Sequence, residues 1–233
     1  MSRSKRIVVV ALTALFSLSL GFAAAGPADD KGEGSIKLFD GKDLKGWKRF
    51  LDPKNAKTKD IDLDKFWTVR DGVIHCEGSV NGYIITEKEY ENYVLRVQWR
   101  WGDSAKEKKN PNSGVFVHVV GEDKIWPKAV EAQLMADHAG DFWLVDGFKL
   151  KVDESRHDPN SPRHYLRTKD DVEKPRGEWN QYEITCSGHT VKLVINGQEV
   201  NEGTEAELTK GKILLQSEGA EIHFRNIELK PIK

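Results

Sequence analysis

Between Glu131 and Asp141 the chain reads EAQLMADHAGD, which places Glu131, Gln133, Asp137, His138 and Asp141 within eleven positions. Carboxylates exchange protons, and an imidazole, whose ordinary pKa is about 6.5, does so near neutral pH. Leu134, Met135, Phe142, Trp143 and Leu144 lie among them. A surface loop has no use for so many large apolar residues, and a purely structural strand has no use for so many acids. Acid–base chemistry on a bound ligand is therefore the first expectation. Side chains alternate along a strand, so Glu131, Gln133 and Met135 share one face and Ala132, Leu134 and Ala136 the other. The small and aliphatic set suits an interior, which turns Glu131 and Gln133 to an open concave face. The competing reading is a polar pair lining a solvated antiparallel sheet.

The elements that must position these residues are strands. FWTVRDGVIHCEG is two short runs around Asp71-Gly72, and VKLVINGQEV carries an Asn196-Gly197 turn; both are hairpin signals. YVLRVQWRW alternates strictly, with Tyr93, Leu95, Val97 and Trp99 on one face and Val94, Arg96, Gln98 and Arg100 on the other. SGVFVHVV, AVEAQLMA, DFWLVDGFKLKV, GKILLQSEG and AEIHFRNIELKPI follow the same style. Many short runs punctuated by glycine predict an all-β antiparallel sandwich. Lys48–Asp64, Asp103–Asn112 and Lys151–Glu178 interrupt it with charged residues, Pro, Asn and Asp, and read as surface excursions that shape a site.

Arg3, Lys5 and Arg6 precede the apolar run IVVVALTALFSLSLGF, and AAA closes it at Ala25. That order predicts a cleavable signal peptide over 1–25, a flexible segment over 26–35 and one domain over 36–233. No cysteine follows the run to carry a lipid, so a secreted or periplasmic protein with no membrane span after cleavage is expected. The leader holds three of the 36 Lys and Arg and none of the 37 Asp and Glu. The scattered, slightly acidic charge that remains argues against a nucleic-acid partner. Cys76 and Cys186 lie in strand-like runs, where either a disulfide or two buried thiols fits. No cysteine or histidine spacing compels a metal site, although His and Asp leave a divalent ion open, and no GxGxxG fingerprint marks a hydride cofactor.

The chain resembles the 3-keto-disaccharide hydrolase domain family. The resemblance rests on IKLFDGKDLKGWK, NSGVFVHV, the E-x-Q strand of EAQL, GEWNQYEI, VKLVINGQEV and GKILLQSEGAEIHFRNIEL, in order over 36–229. It implies a concanavalin A-like jelly roll of two curved antiparallel sheets. It also implies cleavage of glycosides already oxidised at C3, by C2 proton abstraction, elimination of the C1 substituent and hydration. The cofactor belongs to a separate sugar dehydrogenase that makes the ketone. On this reading Glu131 is the catalytic carboxylate, with His138 and Asp137 as acid–base partner and orienting acid. Gln133, Trp143, His118, Arg225 and Gln216 are candidate substrate-binding residues. Of Phe142 and Trp143 only one points inward in a regular strand. His118 is expected on the concave face, with an idle surface histidine as the alternative; Arg225 is either an enolate-stabilising or a structural residue. Asp137 and Asp141 also suit a turn. The basic residues Arg156, His157, Arg163, His164, Arg167 and Lys174 form either a substrate clamp or a solvated loop. Trp47, Trp67, Trp99 and Trp179 are expected to fill the core or seal its ends. A non-catalytic carbohydrate-binding jelly roll is the main rival. An ordinary glycosidase, which needs two carboxylates flanking one bond, is the third reading.

Overall fold

A computed structural model describes residues 34–232; the expectations for the leader and for the segment up to residue 33 lie outside the described residues. The strands in chain order are β1 (Ile36–Lys37), β2 (Trp47–Leu51), β3 (Trp67–Arg70), β4 (Val73–Cys76), β5 (Gly82–Thr86), β6 (Tyr90–Glu91), β7 (Tyr93–Trp101) and β8 (Gly114–Val120). They continue as β9 (Lys128–Gln133), β10 (Phe142–Val145), β11 (His164–Tyr165), β12 (Asn180–Ser187), β13 (Thr190–Ile195), β14 (Gln198–Gly203), β15 (Lys210–Ser217) and β16 (Ile222–Pro231). One sheet runs β14-β13-β12-β7-β16-β4-β3 with β1 paired to β16, and the other β11-β10-β9-β8-β15-β5-β2 with β6 paired to β15. Every pairing is antiparallel.

Strand alternation builds the core between the sheets. Leu95, Val97 and Trp99 from the first sheet meet Val115, Val117, Val130, Ala132, Phe142 and Leu215 from the second in one cluster. The other faces of β7 keep Arg96, Gln98 and Arg100 only half-buried. Both predicted hairpin turns form, with Asp71 and Asn196 at φ of 51° and 49° ahead of Gly72 and Gly197. That left-handed geometry favours Asn, Asp and Gly. Cys76 and Cys186 are free and buried, which decides the open alternative: β16 and β7 separate β4 from β12. Burial pushes both thiols up to about 12. Trp47, Trp67 and Trp99 are buried. Trp179 lies half-buried, 4.8 and 4.1 Å from the guanidinium groups of Arg100 and Arg225, because those arginines point away from the core.

A second, smaller apolar cluster forms on the outer face of the second sheet from Tyr83, Ile85, Phe116, Val119, Ala129, Val145 and Leu214, with Phe50 and Trp143 against it. This face carries the candidate site.

Candidate active site

A cavity of about 240 Å³ opens on that outer face, lined by Asn112, Trp126, Glu131, Gln133, Met135, Trp143, Val145, Arg163 and Glu218. Strand β9 presents Glu131 and Gln133 as alternation requires, while Ala132 and Leu134 go to the core. Phe142 takes the interior place in β10 and Trp143 the outer one, directly across from Glu131 in register. Glu131 is only 6% exposed. Its carboxyl occupies the space over Gly114: a Cβ there would stand 2.5 Å from Oε1. Burial first, and then the charge of Glu218, hold the Glu131 pKa well above the usual carboxylate range, against a smaller opposing pull from Arg163. Glu218 follows β15 and accepts a 2.7 Å hydrogen bond from Asn112 Nδ2; burial raises its pKa to about 7. Gln133 spends its amide oxygen on the backbone N–H groups of Leu134 and Met135, each at 2.8 Å, so its NH₂ is the group it can offer a ligand.

The Trp143 indole stacks on the His164 ring, with centroids 4.3 Å apart and planes 12° apart. His164 lies between two acids, with Nδ1 2.8 Å from Asp158 and Nε2 2.8 Å from Asp141. Burial alone would lower its pKa, but the hydrogen bonds and charges of Asp141 and Asp158 outweigh this and raise it. In its charged form the ring donates to both carboxylates. Asp141, 1% exposed, also accepts from the Arg167 backbone N–H at 2.8 Å and faces His138 Nδ1 at 3.3 Å. A buried carboxylate thus ties β10, β11 and the following loop behind the Trp143 platform.

The structure brings together Glu131, Gln133 and Trp143 and leaves the other expected residues outside the cavity lining. Asp137 is an exposed turn residue with φ of 67° beside Arg176, and His138 is spent on Asp141. Both fall outside the cavity because the chain turns after Met135, where the His138 N–H donates to the Met135 carbonyl. Arg225 is on the other sheet, where its Nε donates to Gln98 Oε1 at 2.7 Å. His118 departs from the expected face because β8 carries a bulge between Val117 and Val120. With φ of 55° the residue leaves the alternation, and its buried ring stacks on Phe148 at 6.3 Å. Neither ring nitrogen has a hydrogen-bond partner among the described residues, and burial lowers its pKa to about 4. Gln216 is 2% exposed on the strand beside Gly114 and does not line the cavity. Of the basic loop residues, Arg163 alone lines the cavity; Arg167 is bonded to Ala139 and Glu173. The residues that sequence reasoning did not single out for the site are Glu218, Asn112 and Trp126. The alternation of LLQSEG carries a signal for Glu218, but its proximity to Glu131 depends on strand order. Among the described residues no group of three or more His, Cys, Asp or Glu is arranged to hold a metal ion.

Comparison with known proteins agrees with this architecture. The 3-keto-alpha-glucoside-1,2-lyase-like domain matches residues 34–230. The chain is 28% identical over 186 residues to a 3-keto-disaccharide hydrolase of Bacteroides thetaiotaomicron; the match covers 73% of this chain and 58% of that protein, little more than half its length. A crystal structure from Parabacteroides distasonis, provisionally described as a glycosyl hydrolase, superposes with a TM-score of 0.61 at 25% identity, over 86% of this chain and 95% of that one. The β-glucanase of Bacillus licheniformis superposes with a TM-score of 0.55 at 10% identity, over 86% and 99% of the two chains; the shared jelly-roll fold is what that similarity shows.

Proposed function

The chain belongs to the 3-keto-alpha-glucoside-1,2-lyase-like domain family, and from that premise we propose that it is an exported enzyme that cleaves 3-keto-glycosides by elimination and hydration. The observation that carries the reading is a pair of carboxyl groups on one small cavity, Glu131 buried and Glu218 half-buried, with their pKa values raised to different extents. Environments that push two acids apart assign one as proton donor and the other as acceptor. Burial favours the neutral form of Glu131 more strongly, which makes it the proton donor and Glu218 the base.

A ketone at C3 acidifies the hydrogen on C2. Glu218 takes that proton, and the electron pair forms the enolate. Arg163, the one cation lining the cavity among the described residues, is the partner for the negative charge. The enolate then expels the oxygen at C1, which takes the proton of Glu131. In the second half, Glu131, now ionised, removes a proton from water as it adds to C1, and Glu218 returns a proton to C2. Both carboxyl groups end as they began, so no oxidant or reductant is consumed. Trp143 supplies an apolar ring face for the sugar, and the Gln133 NH₂ a donor for a hydroxyl.

The test mixes purified protein with a 3-keto-glucoside and its unoxidised parent in deuterated water. The expected result is aglycone release from the keto sugar alone, with deuterium at C2 of the product. Glu218 must be ionised and Glu131 protonated, so kcat/KM rises with pH through about 7 and falls again once Glu131 deprotonates. Equal release from the parent sugar would make the protein an ordinary glycosidase. Saturable binding of both without release would make it a carbohydrate-binding module.

Gly114→Ala probes the space Glu131 needs. Gly114 has no positive φ, so the new methyl group strains nothing but its neighbours, chiefly the Glu131 carboxyl and the Phe116 ring 3.0 Å away. Turnover of the keto sugar is expected to fall about 10²-fold, as for a 1 Å displacement of a reacting group. Overpacking costs about 1–3 kcal/mol of stability by urea denaturation. Unchanged turnover would remove Glu131 from the reaction.

A further inference from the structure

We infer that Trp126 forms a leaving-group subsite, so that the enzyme favours substrates whose C1 substituent is itself a ring, a sugar or an aromatic, over those with a small alcohol. This rests on the reading of the cavity as the site of a 3-keto-glycoside. At about 240 Å³ the cavity lies below the roughly 300–1,000 Å³ of pockets that enclose drug-sized ligands. It suits one sugar ring, and a second ring must lie outside it. Glu131, Gln133 and Val145 are buried, whereas Trp126 and Arg163 are exposed, so these two mark the mouth.

Trp126 is one of four large apolar side chains exposed among the described residues, at 36%. It sits in the connection 121–127 between β8 and β9, which is anchored at two points. Tyr83 Oη donates to Asp123 Oδ1 at 3.0 Å, and Lys124 Nζ bonds Asp146 Oδ2 at 2.5 Å. An indole on an anchored segment is ordered before the ligand arrives, which lowers the entropy lost on binding. With the reacting sugar against Trp143 and its C1 oxygen at Glu131, the substituent leaves by the mouth. There the Trp126 face meets the C–H face of a sugar or the π face of an aromatic ring.

The experiment uses the whole protein with two readouts. Calorimetry measures binding of the unoxidised methyl glucoside, phenyl glucoside and glucose disaccharide, each as both anomers, to wild type, Trp126→Ala and Trp126→Phe. Kinetics on the 3-keto forms follow KM and kcat separately. Tighter binding of the ring-bearing sugars is expected in wild type. That advantage should fall about tenfold in Trp126→Ala and be largely kept in Trp126→Phe, with kcat little changed and the methyl compound unaffected. The phenyl and disaccharide arms show which kind of ring the platform prefers. Equal affinities for all three sugars in wild type, or an equal loss for the methyl compound, would overturn the subsite. If no keto sugar is cleaved but the calorimetric difference persists and depends on Trp126, the catalytic reading fails and the subsite stands.

Discussion

Glu131→Gln is expected to lower kcat on a 3-keto-glucoside by about 10³-fold while leaving the fold intact, the middle of the range for loss of a positioned acid–base group. The substitution is nearly isosteric and, because burial and the Glu218 charge favour the neutral form of Glu131, it exchanges that form for another neutral group. Thermal stability near pH 7 should therefore stay within about 0.5 kcal/mol of wild type. The amide also fits the space over Gly114 that the carboxyl occupies. Glu218→Gln should cost as much in kcat/KM but leave a different signature. The rise with pH through about 7, which reports ionisation of Glu218, disappears from whatever activity remains. Asn112 Nδ2 still finds an acceptor in the Gln oxygen, so the local structure is kept. Because each carboxyl group serves both halves of the reaction, the double variant should be little worse than the poorer single variant. Multiplicative losses would mean that the two act independently. A Glu131→Gln protein with wild-type turnover would place the chemistry elsewhere.

The largest expected effect on stability is at Asp141, outside the cavity. Its Oδ1 accepts from the Arg167 N–H, and its Oδ2 accepts from His164 Nε2 and faces His138 Nδ1. At 1% exposed, the carboxylate is the shared partner of the buried His164 ring, the Arg167 backbone N–H and the exposed His138 ring. Asp141→Ala strips one of two counter-charges from a buried imidazolium and orphans a backbone donor. A loss of about 3–5 kcal/mol is expected, a large share of a typical 5–15 kcal/mol. At roughly 2–4 °C per kcal/mol for a chain of this size, even 3 kcal/mol lowers Tm by about 6–12 °C.

The pH dependence separates charge pairing from simple packing. His164 has a raised folded pKa, so its ion pairs stabilise fully below the unfolded value of about 6.5. That contribution is lost as pH rises through the folded value. The gap between wild type and Asp141→Asn, measured in urea, should shrink as the pH is raised through that window. A gap independent of pH would mean that His164 is not charged. The same variant should loosen the ring stacked behind Trp143 and so raise KM more than it lowers kcat.

Much of the site was legible before the structure because alternation is a local property. Two consecutive side chains of a strand cannot share a face, so EAQL alone puts Glu131 and Gln133 opposite Ala132 and Leu134. DFWL likewise divides Phe142 from Trp143 without saying which goes inward. The turns at Asp71-Gly72 and Asn196-Gly197 were legible for the same reason, since a left-handed pair needs residues that tolerate positive φ. His118 shows where the rule ends. One extra residue in β8 forms a bulge, and nothing in SGVFVHVV marks it, because a bulge answers to the partner strand and not to its own sequence.

The antiparallel sandwich, the residues facing its core and one of the two paired acids are properties of the sequence itself, set by a period of two that each strand carries internally. The tertiary structure alone decided that β15 and β9 flank β8 in one sheet, so that Glu218 faces Glu131 from 87 positions further along the chain. It also decided that Arg163 and Trp126 come to the mouth of the same cavity, and that Asp137 and Arg225 stay away from it. Which strands become neighbours depends on burying all the apolar faces at once, a free energy summed over the whole chain. The raised carboxyl pKa values follow from that burial, so they too belong to the fold.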